Sequence, residues 1–401
     1  MKAIRPAARL GTVLAGAIAI GACSYSADSN KIPAAASVAE AAPQYTNPTT
    51  MQDMMTATPL TIDNYRPQRS LASCGVRELP SGEADAKLAV ALEQARTYSE
   101  EQQGAGLVVV KDGKIIHESY ALGADKDSKF ATASMMKSVL GLTFGIALEK
   151  GLVGSVDDTV GMYLPEWKGE PRGEITLQEL LTMSSGLAPQ PFQTFLLSPD
   201  SYATVLDMQL ATEPGSTFYY NNSVSQLIGL ILDRQARKNG YEDYTDFLQR
   251  ELWCPLGNSQ AILWVDMQGT PRSYAGLHTN LRDWARIGEL IRNDGQAGGK
   301  QVVPSSWIAA MAEPSATNSQ YGYQQWRAGE WTAQRAYNPD NPVKIVHSEP
   351  FLADDLVYFD GFGGQRVYVI PSKGLTIVRV GLVSMTFDDA KIPNTILRGI
   401  E

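Results

Sequence analysis

The sequence contains few cysteines and few histidines, and this scarcity limits the metal chemistry open to it. There are three residues of each type, and the histidines His117, His278 and His347 lie far apart. Zinc sites in proteins are built mainly from Cys and His side chains brought close together. A glycine-rich loop of the kind that cradles phosphates is also missing. The sequence therefore predicts no metal site and no cofactor.

Three other features are absent, and each excludes a class of protein. The net charge of −9 is spread without clusters of Lys and Arg, which argues against a nucleic-acid partner. After the N-terminal region no apolar stretch approaches the ~20 residues that a membrane-spanning helix needs. The Gly-x-Ser-x-Gly pattern of the α/β-hydrolases does not occur, which weighs against a Ser-His-Asp triad.

The N-terminus has the pattern of an export signal. Lys2, Arg5 and Arg9 precede an apolar run over residues 10–22, and Cys23 follows small residues at its end. This junction resembles the lipobox of bacterial lipoproteins, in which the cysteine is lipidated and becomes the first mature residue. We expect a signal peptide over residues 1–22 and a membrane partner reached through lipid on Cys23, which places the protein in the cell envelope. The alternative is ordinary cleavage before a free thiol.

The next segment has the composition of a flexible connection. Residues 23–60 are rich in Ala, Ser, Thr and Pro, with few charges and no periodicity, and we expect a disordered tether there. The folded domain is predicted to occupy residues 61–401. Its two cysteines, Cys74 and Cys254, would meet an oxidising compartment after export. Both a disulfide and two separate buried thiols fit the sequence.

Strand patterns stand near both ends of the predicted domain. Residues 107–118 form a β-hairpin pattern around Asp112-Gly113, and residues 366–380 form a second one around 371–374. Helical patterns lie mainly between them, and a last helix is predicted over 387–397. The chain is therefore predicted to be α+β, with one antiparallel sheet flanked by helices and a mainly helical lobe inserted at about 150–300. Other helices are predicted at 176–183, 223–238, 244–252, 281–292 and 305–311.

The candidate nucleophile belongs to the tetrapeptide Ser134-Met135-Met136-Lys137 at the start of an apolar helix that ends near Gly151. At i, i+3 spacing the two polar side chains share a helix face, so the Lys137 amine can reach the Ser134 hydroxyl. Free N–H groups and the helix dipole at this end also stabilise negative charge. The alternative is that Ser134 caps the helix and Lys137 extends to solvent.

Two later segments supply further candidate residues. The first is the loop Pro214–Asn222, in which Tyr220 and Asn222 precede a helix; alternatively, Asn222 only caps that helix. The second is the glycine-rich stretch Gly361-Phe362-Gly363-Gly364-Gln365 before the late hairpin. Its alternative interpretation is a flexible loop entering a strand.

Together these motifs resemble those of the serine β-lactamase and penicillin-binding superfamily, and specifically class C β-lactamases, related esterases and 6-aminohexanoate-dimer hydrolases. That family carries Ser-x-x-Lys, then Tyr-x-Asn, then a triplet that begins with Lys or His, and the resemblance spans roughly residues 100–385. It implies a β-lactamase/transpeptidase-like fold with Ser134 as nucleophile, Lys137 as its partner and Tyr220 as general acid/base. Asn222 would hold the lysine or a substrate amide. A register of Tyr219-Tyr220-Asn221 also fits, but the surrounding pattern favours Tyr220.

The third motif departs from the family. Phe362 stands where the resemblance implies Lys or His, Gly364 matches the motif's glycine, and Gly363 lies between them. We assign to Gln365 the backbone N–H that would join that of Ser134 in an oxyanion hole. Without a cation at Phe362, carboxylate-bearing β-lactam and D-alanyl peptide substrates are disfavoured, although the nearby Arg366 offers one source of charge.

The sequence thus predicts an exported serine hydrolase that cleaves esters or linear amides through an acyl-serine intermediate. The free pKa values of Lys and Tyr are both about 10, so one group must be shifted to accept the serine proton, and the sequence leaves open which. The enzyme alternatives are a D,D-carboxypeptidase or a β-lactamase. A further alternative is a catalytically idle binding lipoprotein with the same fold.

Overall fold

The computed structural model describes residues 45–338 and 341–400. The predicted signal peptide, Cys23 and the first part of the tether fall on residues 1–44, outside the described residues. None of the helices in the described part is long and apolar enough to span a bilayer. The α-helices are α1 (Met51–Thr56), α2 (Ala86–Glu101), α3 (Met136–Glu149), α4 (Leu177–Leu181), α5 (Phe192–Leu196), α6 (Ser201–Leu206), α7 (Asn222–Lys238), α8 (Tyr244–Leu248), α9 (Cys254–Leu256), α10 (Leu281–Arg292), α11 (Ser305–Ala312) and α12 (Lys391–Ile400), with a π-helix at Gln249–Trp253 between α8 and α9.

The strands form two larger sheets and two short ribbons. The strands are β1 (Gln68–Leu71), β2 (Gly104–Lys111), β3 (Lys114–Tyr120), β4 (Phe130–Ala131), β5 (Ala261–Trp264), β6 (Leu277–Thr279), β7 (Gln296–Ala297), β8 (Lys300–Gln301), β9 (Trp326–Arg327), β10 (Gln334–Ala336), β11 (Lys344–Val346), β12 (Val357–Gly361), β13 (Gln365–Ile370) and β14 (Leu375–Gly381). The six-stranded sheet has the order β3-β2-β14-β13-β12-β9, and the four-stranded sheet has the order β1-β5-β6-β4. The ribbons pair β7 with β8 and β10 with β11.

Both predicted hairpins are confirmed, and they meet in the six-stranded sheet. β2 and β3 turn at Asp112 and Gly113, whose φ values of 50° and 79° are those that a two-residue hairpin turn needs. β13 pairs antiparallel with β14, and β14 pairs antiparallel with β2. The early and the late hairpin of the domain therefore lie side by side in one sheet. The strands β13 and β14 are buried throughout, and each large apolar side chain they bury contributes roughly 1.5–3 kcal/mol.

Helices cover both faces of this sheet. On one face the carboxylate of Glu289 in α10 accepts a hydrogen bond of 2.7 Å from Thr376 in β14. On the other face the guanidinium of Arg379, also in β14, donates to the Gln102 carbonyl at the end of α2. Residues three apart in a strand point to opposite faces, so α10 and α2 lie on opposite sides of the sheet. The predicted lobe at 150–300 thus ends before α10, which packs on the sheet.

Several helix boundaries differ from the predictions, the last helix most of all. The predicted helix over 387–397 begins at Lys391 and runs to Ile400. Asp389 lies outside the helix because its carboxylate is buried between Arg335 and Arg366, at distances of 3.0 and 2.7 Å. A long-range ion pair therefore sets this helix start. The predicted helix at 244–252 continues through the π-helix to Leu256, where Gly257 adopts φ 67°.

The structure differs from the predicted tether at residues 45–60. Thr50 caps α1 and forms a reciprocal capping box with Asp53. The buried Thr49 hydroxyl donates to the Arg66 carbonyl at 2.8 Å, which fixes the segment to the chain that follows.

Cys74 and Cys254 form a disulfide between positions 180 residues apart in the sequence. Of the two alternatives for the cysteines, the structure has the disulfide.

Candidate active site

Ser134 lies on a tight turn that leads directly into α3. The turn is a 3-10 helix at Ala133–Met135, and α3 continues it from Met136. Ala133 has φ 48°, a left-handed conformation that residues with a Cβ rarely adopt. A Cβ added to Gly361 at the end of β12 would lie 2.2 Å from the Thr132 carbonyl oxygen. The side-chain-free end of β12 therefore permits the close approach of the sheet to this turn, while Ser134 itself stays partly exposed.

Lys137 is buried beside Ser134 and has three hydrogen-bond acceptors. Its side chain is 1% exposed, and its Nζ lies 3.0 Å from Ser134 Oγ. The same nitrogen donates to Asn222 Oδ1 at 2.7 Å and to the Tyr274 carbonyl at 3.2 Å. These three partners are neutral, so nothing in direct contact offsets the cost of burying a charged amine. The alternative in which Lys137 extends to solvent is wrong.

This burial changes the protonation of the lysine. Loss of solvent lowers the pKa of Lys137 to about 7, against the opposing effect of the negative charge on Asp360. An amine with that pKa is unprotonated in roughly half of the molecules at pH 7. The neutral amine can then accept a proton from the Ser134 hydroxyl, which lies at hydrogen-bond distance.

Tyr220 lies on the other side of the lysine. Lys137 Nζ is 4.6 Å from the centroid of the Tyr220 ring. Burial raises the pKa of the Tyr220 hydroxyl well above its usual value, and the charge of Asp360 raises it further, while Ser134, Arg335 and Trp326 act in the opposite direction. The phenol therefore keeps its proton at neutral pH. Between the two candidate proton acceptors, the environment favours Lys137.

The structure brings Asn222, and not Asn221, to the lysine. Asn222 is the first residue of α7 and its side-chain oxygen contacts Lys137. Asn221 is the helix cap: its Oδ1 accepts from the Ser223 N–H at 2.9 Å, and its Nδ2 donates to the Leu187 carbonyl. The interpretation of Asn222 as a mere cap is therefore wrong. Ser134, Lys137, Tyr220 and Asn222 form one cluster.

The third motif is the turn between β12 and β13. Gly363 and Gly364 have φ values of 77° and 95°, which suit glycine, and a Cβ on Gly363 would meet Val383 at under 3 Å. Phe362 is partly exposed at this turn. The buried Gln365 side chain accepts from the Gly381 N–H at 2.8 Å. The glycine that approaches the Ser134 turn is Gly361, so the substrate roles of Phe362, Gly363, Gly364 and Gln365 stay predictions.

Arg366 does not supply the charge that Phe362 lacks. Its guanidinium is 1% exposed and pairs with Asp360 and with Asp389, each at 2.7 Å. It also donates to the carbonyl of Gly361 at 2.7 Å. The suggestion that Arg366 could meet a substrate carboxylate is therefore wrong, because every one of these bonds would have to break first.

The sequence reasoning missed an aromatic wall around Tyr220. The ring of Tyr220 lies 5.2 Å from Tyr337, 5.7 Å from Trp326 and 6.0 Å from Tyr321. Phe218 packs against Tyr321 at 5.2 Å. We call these four residues, Phe218, Tyr321, Trp326 and Tyr337, the aromatic wall. The density of aromatic residues between 321 and 337 was the available signal.

The three histidines lie in separate parts of the fold and have different neighbours. His278 is buried beside Tyr65, and burial lowers the pKa of its ring to about 3. His347 packs on Phe351 with ring centroids 4.5 Å apart, and His117 contacts the Ser119 hydroxyl at 3.0 Å. Within residues 45–338 and 341–400, no group of three or more His, Cys, Asp or Glu residues is arranged to hold a metal ion.

Comparison with known proteins points to one family. The 6-aminohexanoate-dimer hydrolase of Paenarthrobacter ureafaciens is 22% identical over 246 residues, which cover 56% of this chain and 61% of that protein. A solved structure from Bacillus anthracis, provisionally described as a 6-aminohexanoate-dimer hydrolase, superposes with a TM-score of 0.67 at 19% identity, covering 85% of this chain and 91% of that one. A family VIII carboxylesterase superposes with a TM-score of 0.60 at 13% identity, covering 80% and 99%.

The predicted superfamily and its β-lactamase/transpeptidase-like α+β fold are both confirmed by these comparisons. The model of the beta-lactamase family matches residues 89–383, well over half of the chain. Its range includes every residue of the cluster built around Ser134 and Lys137. The chain belongs to the beta-lactamase family, and its fold is that of the β-lactamase-related hydrolases.

Proposed function

We propose that this protein is a serine hydrolase that cleaves carboxylic esters or linear amides through an acyl-Ser134 intermediate. The observation that carries the proposal is the buried Lys137 amine, whose pKa is about 7 and which lies 3.0 Å from Ser134 Oγ. Relatives named as a 6-aminohexanoate-dimer hydrolase and as a carboxylesterase support the same classes of substrate.

The reaction proceeds in two halves. In the first, neutral Lys137 takes the proton of Ser134 while Oγ attacks the substrate carbonyl, and Tyr220 gives its proton to the departing alcohol or amine. Lys137 then passes the proton that it took from Ser134 to Tyr220. Departure of the alcohol or amine leaves an ester between Ser134 and the acyl group. In the second half water attacks this ester, Ser134 recovers its proton and a carboxylic acid departs. The backbone N–H groups of Ser134 and Gln365 would bind the oxyanion.

The pH dependence follows from the pKa of Lys137. Below about pH 7 the ammonium form predominates and cannot accept the serine proton. We therefore expect kcat/KM for an uncharged ester to fall about tenfold per pH unit below this value and to level off above it. The measurement is product formation by chromatography between pH 5 and 9. A profile that is flat over this range would contradict a titrating Lys137 base.

Substrate charge is the next point of the proposal. Arg366 and Arg379 lie close to the Phe362 turn, and both are buried and bonded, Arg366 to Asp389 at 2.7 Å and Arg379 to the Gly364 carbonyl at 3.0 Å. Neither arginine is therefore free to meet a carboxylate placed against Phe362. Each charge-assisted hydrogen bond that is lost costs about 1.5–3 kcal/mol, or roughly tenfold to a hundredfold in rate.

We expect p-nitrophenyl butyrate to be turned over with a far higher kcat/KM than nitrocefin, which carries a carboxylate. Phe362→Lys should narrow the difference by roughly tenfold to a hundredfold. Leu122→Lys is the matched control, since it adds the same charge to an exposed apolar position beyond β3, at the opposite edge of the sheet. If the wild type hydrolyses nitrocefin as fast as dedicated β-lactamases do, the β-lactamase alternative replaces this proposal.

We also propose that the protein is exported and anchored by lipid on Cys23. The Cys74–Cys254 disulfide supports export, because such bonds persist mainly in oxidising compartments. Cys23→Ala should move the protein from the membrane fraction to the soluble one. The control is the double variant Cys74→Ala/Cys254→Ala, which keeps Cys23 and should remain with the membranes. Unchanged fractionation of Cys23→Ala would exclude anchoring through this residue.

A further inference from the structure

A short two-stranded ribbon lies against the aromatic wall and is not part of the larger sheets. Its strands are β10 and β11, paired antiparallel with Arg335 opposite Ile345. In the chain the ribbon falls between β9 and β12, which pair with each other in the six-stranded sheet. Neither the predicted motifs nor the proposed reaction assigns a role to this ribbon.

A buried ion pair ties this ribbon to the central sheet. Arg335 is 1% exposed and pairs with Asp360 of β12, and it contacts Asp389 at 3.0 Å. Its guanidinium also stacks 3.9 Å from the centroid of the Trp326 ring. Removing one partner of a buried ion pair is strongly destabilising, so these contacts hold the ribbon in one place relative to β12.

The two residues that follow β10, Tyr337 and Asn338, contact Tyr220 from two sides. Asn338 Nδ2 donates to the backbone carbonyl of Tyr220 at 3.1 Å. The ring of Tyr337 packs against the ring of Tyr220 with centroids 5.2 Å apart. The Tyr337 hydroxyl in turn donates to Asp360 Oδ1 at 3.0 Å. Backbone and ring of Tyr220 are thus both held by a segment that is fixed through Asp360.

Such support matters because Tyr220 lies in a loop before α7 and not inside a helix or strand. Asn221, the residue after it, fixes the start of the helix but leaves the position of the preceding carbonyl to other contacts. A displacement of about 1 Å in a reacting group can reduce a rate on the order of a hundredfold.

We propose that Tyr337 and Asn338 are positioning residues, which hold Tyr220 beside Ser134 and Lys137 from a ribbon fixed to the sheet by the Arg335–Asp360 ion pair. This inference rests on the role of Tyr220 in the proposed function. It extends that function, because it assigns the orientation of the proton donor to a segment outside the three motifs.

The test compares Asn338→Ala and Tyr337→Phe with two matched variants. Asn341→Ala removes an amide between the two strands of the ribbon, whose oxygen accepts from the Val343 N–H. Tyr323→Phe removes a hydroxyl that contacts Gln178, away from Tyr220. For p-nitrophenyl butyrate, we expect Asn338→Ala and Tyr337→Phe to lower kcat on the order of tenfold to a hundredfold with little change in KM. The two matched variants should keep the wild-type kcat.

Crystal structures of Asn338→Ala and Tyr337→Phe supply a readout that does not depend on turnover, with Tyr220 expected to be displaced from the Ser134 hydroxyl. The inference is overturned if Tyr220 keeps its position in both variants, or if their kcat values equal those of the matched variants. Absence of both ester and linear-amide turnover in the wild type would instead refute the proposed function, and the position of Tyr220 in the crystals would still decide the inference.

Discussion

Ser134→Ala should abolish ester hydrolysis and leave the fold intact. Removal of a serine nucleophile that acts with a base typically lowers kcat on the order of 10⁴–10⁶-fold. The change deletes one partly exposed hydroxyl, which lies 3.0 Å from Lys137 Nζ, so little packing is lost. The measurement is turnover of p-nitrophenyl butyrate together with the midpoint of thermal unfolding.

The matched control for this variant is Ser138→Ala, one turn further along α3. Ser138 is buried and donates to the Gln324 carbonyl at 3.2 Å, so its loss should cost about 1 kcal/mol of stability and leave turnover nearly unchanged. The two variants thus separate chemistry from stability. Undiminished turnover by Ser134→Ala would place the nucleophile elsewhere.

Lys137→Met should remove most of the activity without destabilising the protein. The loss of the proton acceptor is expected to lower kcat about 10²–10⁴-fold. Methionine has a similar length, and it removes the cost of burying an amine that is 1% exposed. We therefore expect the free energy of unfolding to rise by about 0.5–2 kcal/mol, as is common when a functional polar residue is replaced.

Lys150→Met, at the end of the same helix, is the control for Lys137→Met. The Lys150 amine is exposed and pairs with Glu251 at 2.9 Å, a contact of the kind that contributes at most about 1 kcal/mol. Its replacement should change neither kcat nor the pH profile. Retention of wild-type kcat by Lys137→Met would show that another group accepts the serine proton.

The sequence was sufficient for features that depend on short-range chemistry. The Asp112-Gly113 turn requires positive φ at both positions, so its residues predict the hairpin. The i, i+3 spacing places Lys137 beside Ser134 in any helix that begins there. Tyr220 and Asn222 were predicted from the motif pattern, and the structure brings both to the lysine.

Features that depend on contacts between distant residues were not predictable in the same way. The side chain of Arg366 could point to substrate or to a buried partner, and only the folded positions of Asp360 and Asp389 decide between them. The same ion pairs delay the start of α12 to Lys391. An aspartate is favourable in the first turn of a helix, so local chemistry gives no reason to begin the helix after Asp389.

The ribbon and the aromatic wall were missed for a related reason. The strands β10 and β11 have three residues each, too few for a clear alternating pattern. Their position is fixed by Arg335, whose acidic partners lie 25 and 54 residues further along the chain. Aromatic residues are frequent between 321 and 337, but their frequency does not indicate that they pack around Tyr220.

The central claim is that Ser134 forms a covalent acyl intermediate with the help of Lys137. The most direct measurement is intact-mass analysis after incubation with a fluorophosphonate, in wild type, Ser134→Ala and Lys137→Met. We predict one adduct per chain on Ser134 in the wild type, none in Ser134→Ala and a greatly slowed reaction in Lys137→Met. The absence of any wild-type adduct, which would favour a catalytically idle binding protein, or an adduct on a residue other than Ser134 would contradict the account.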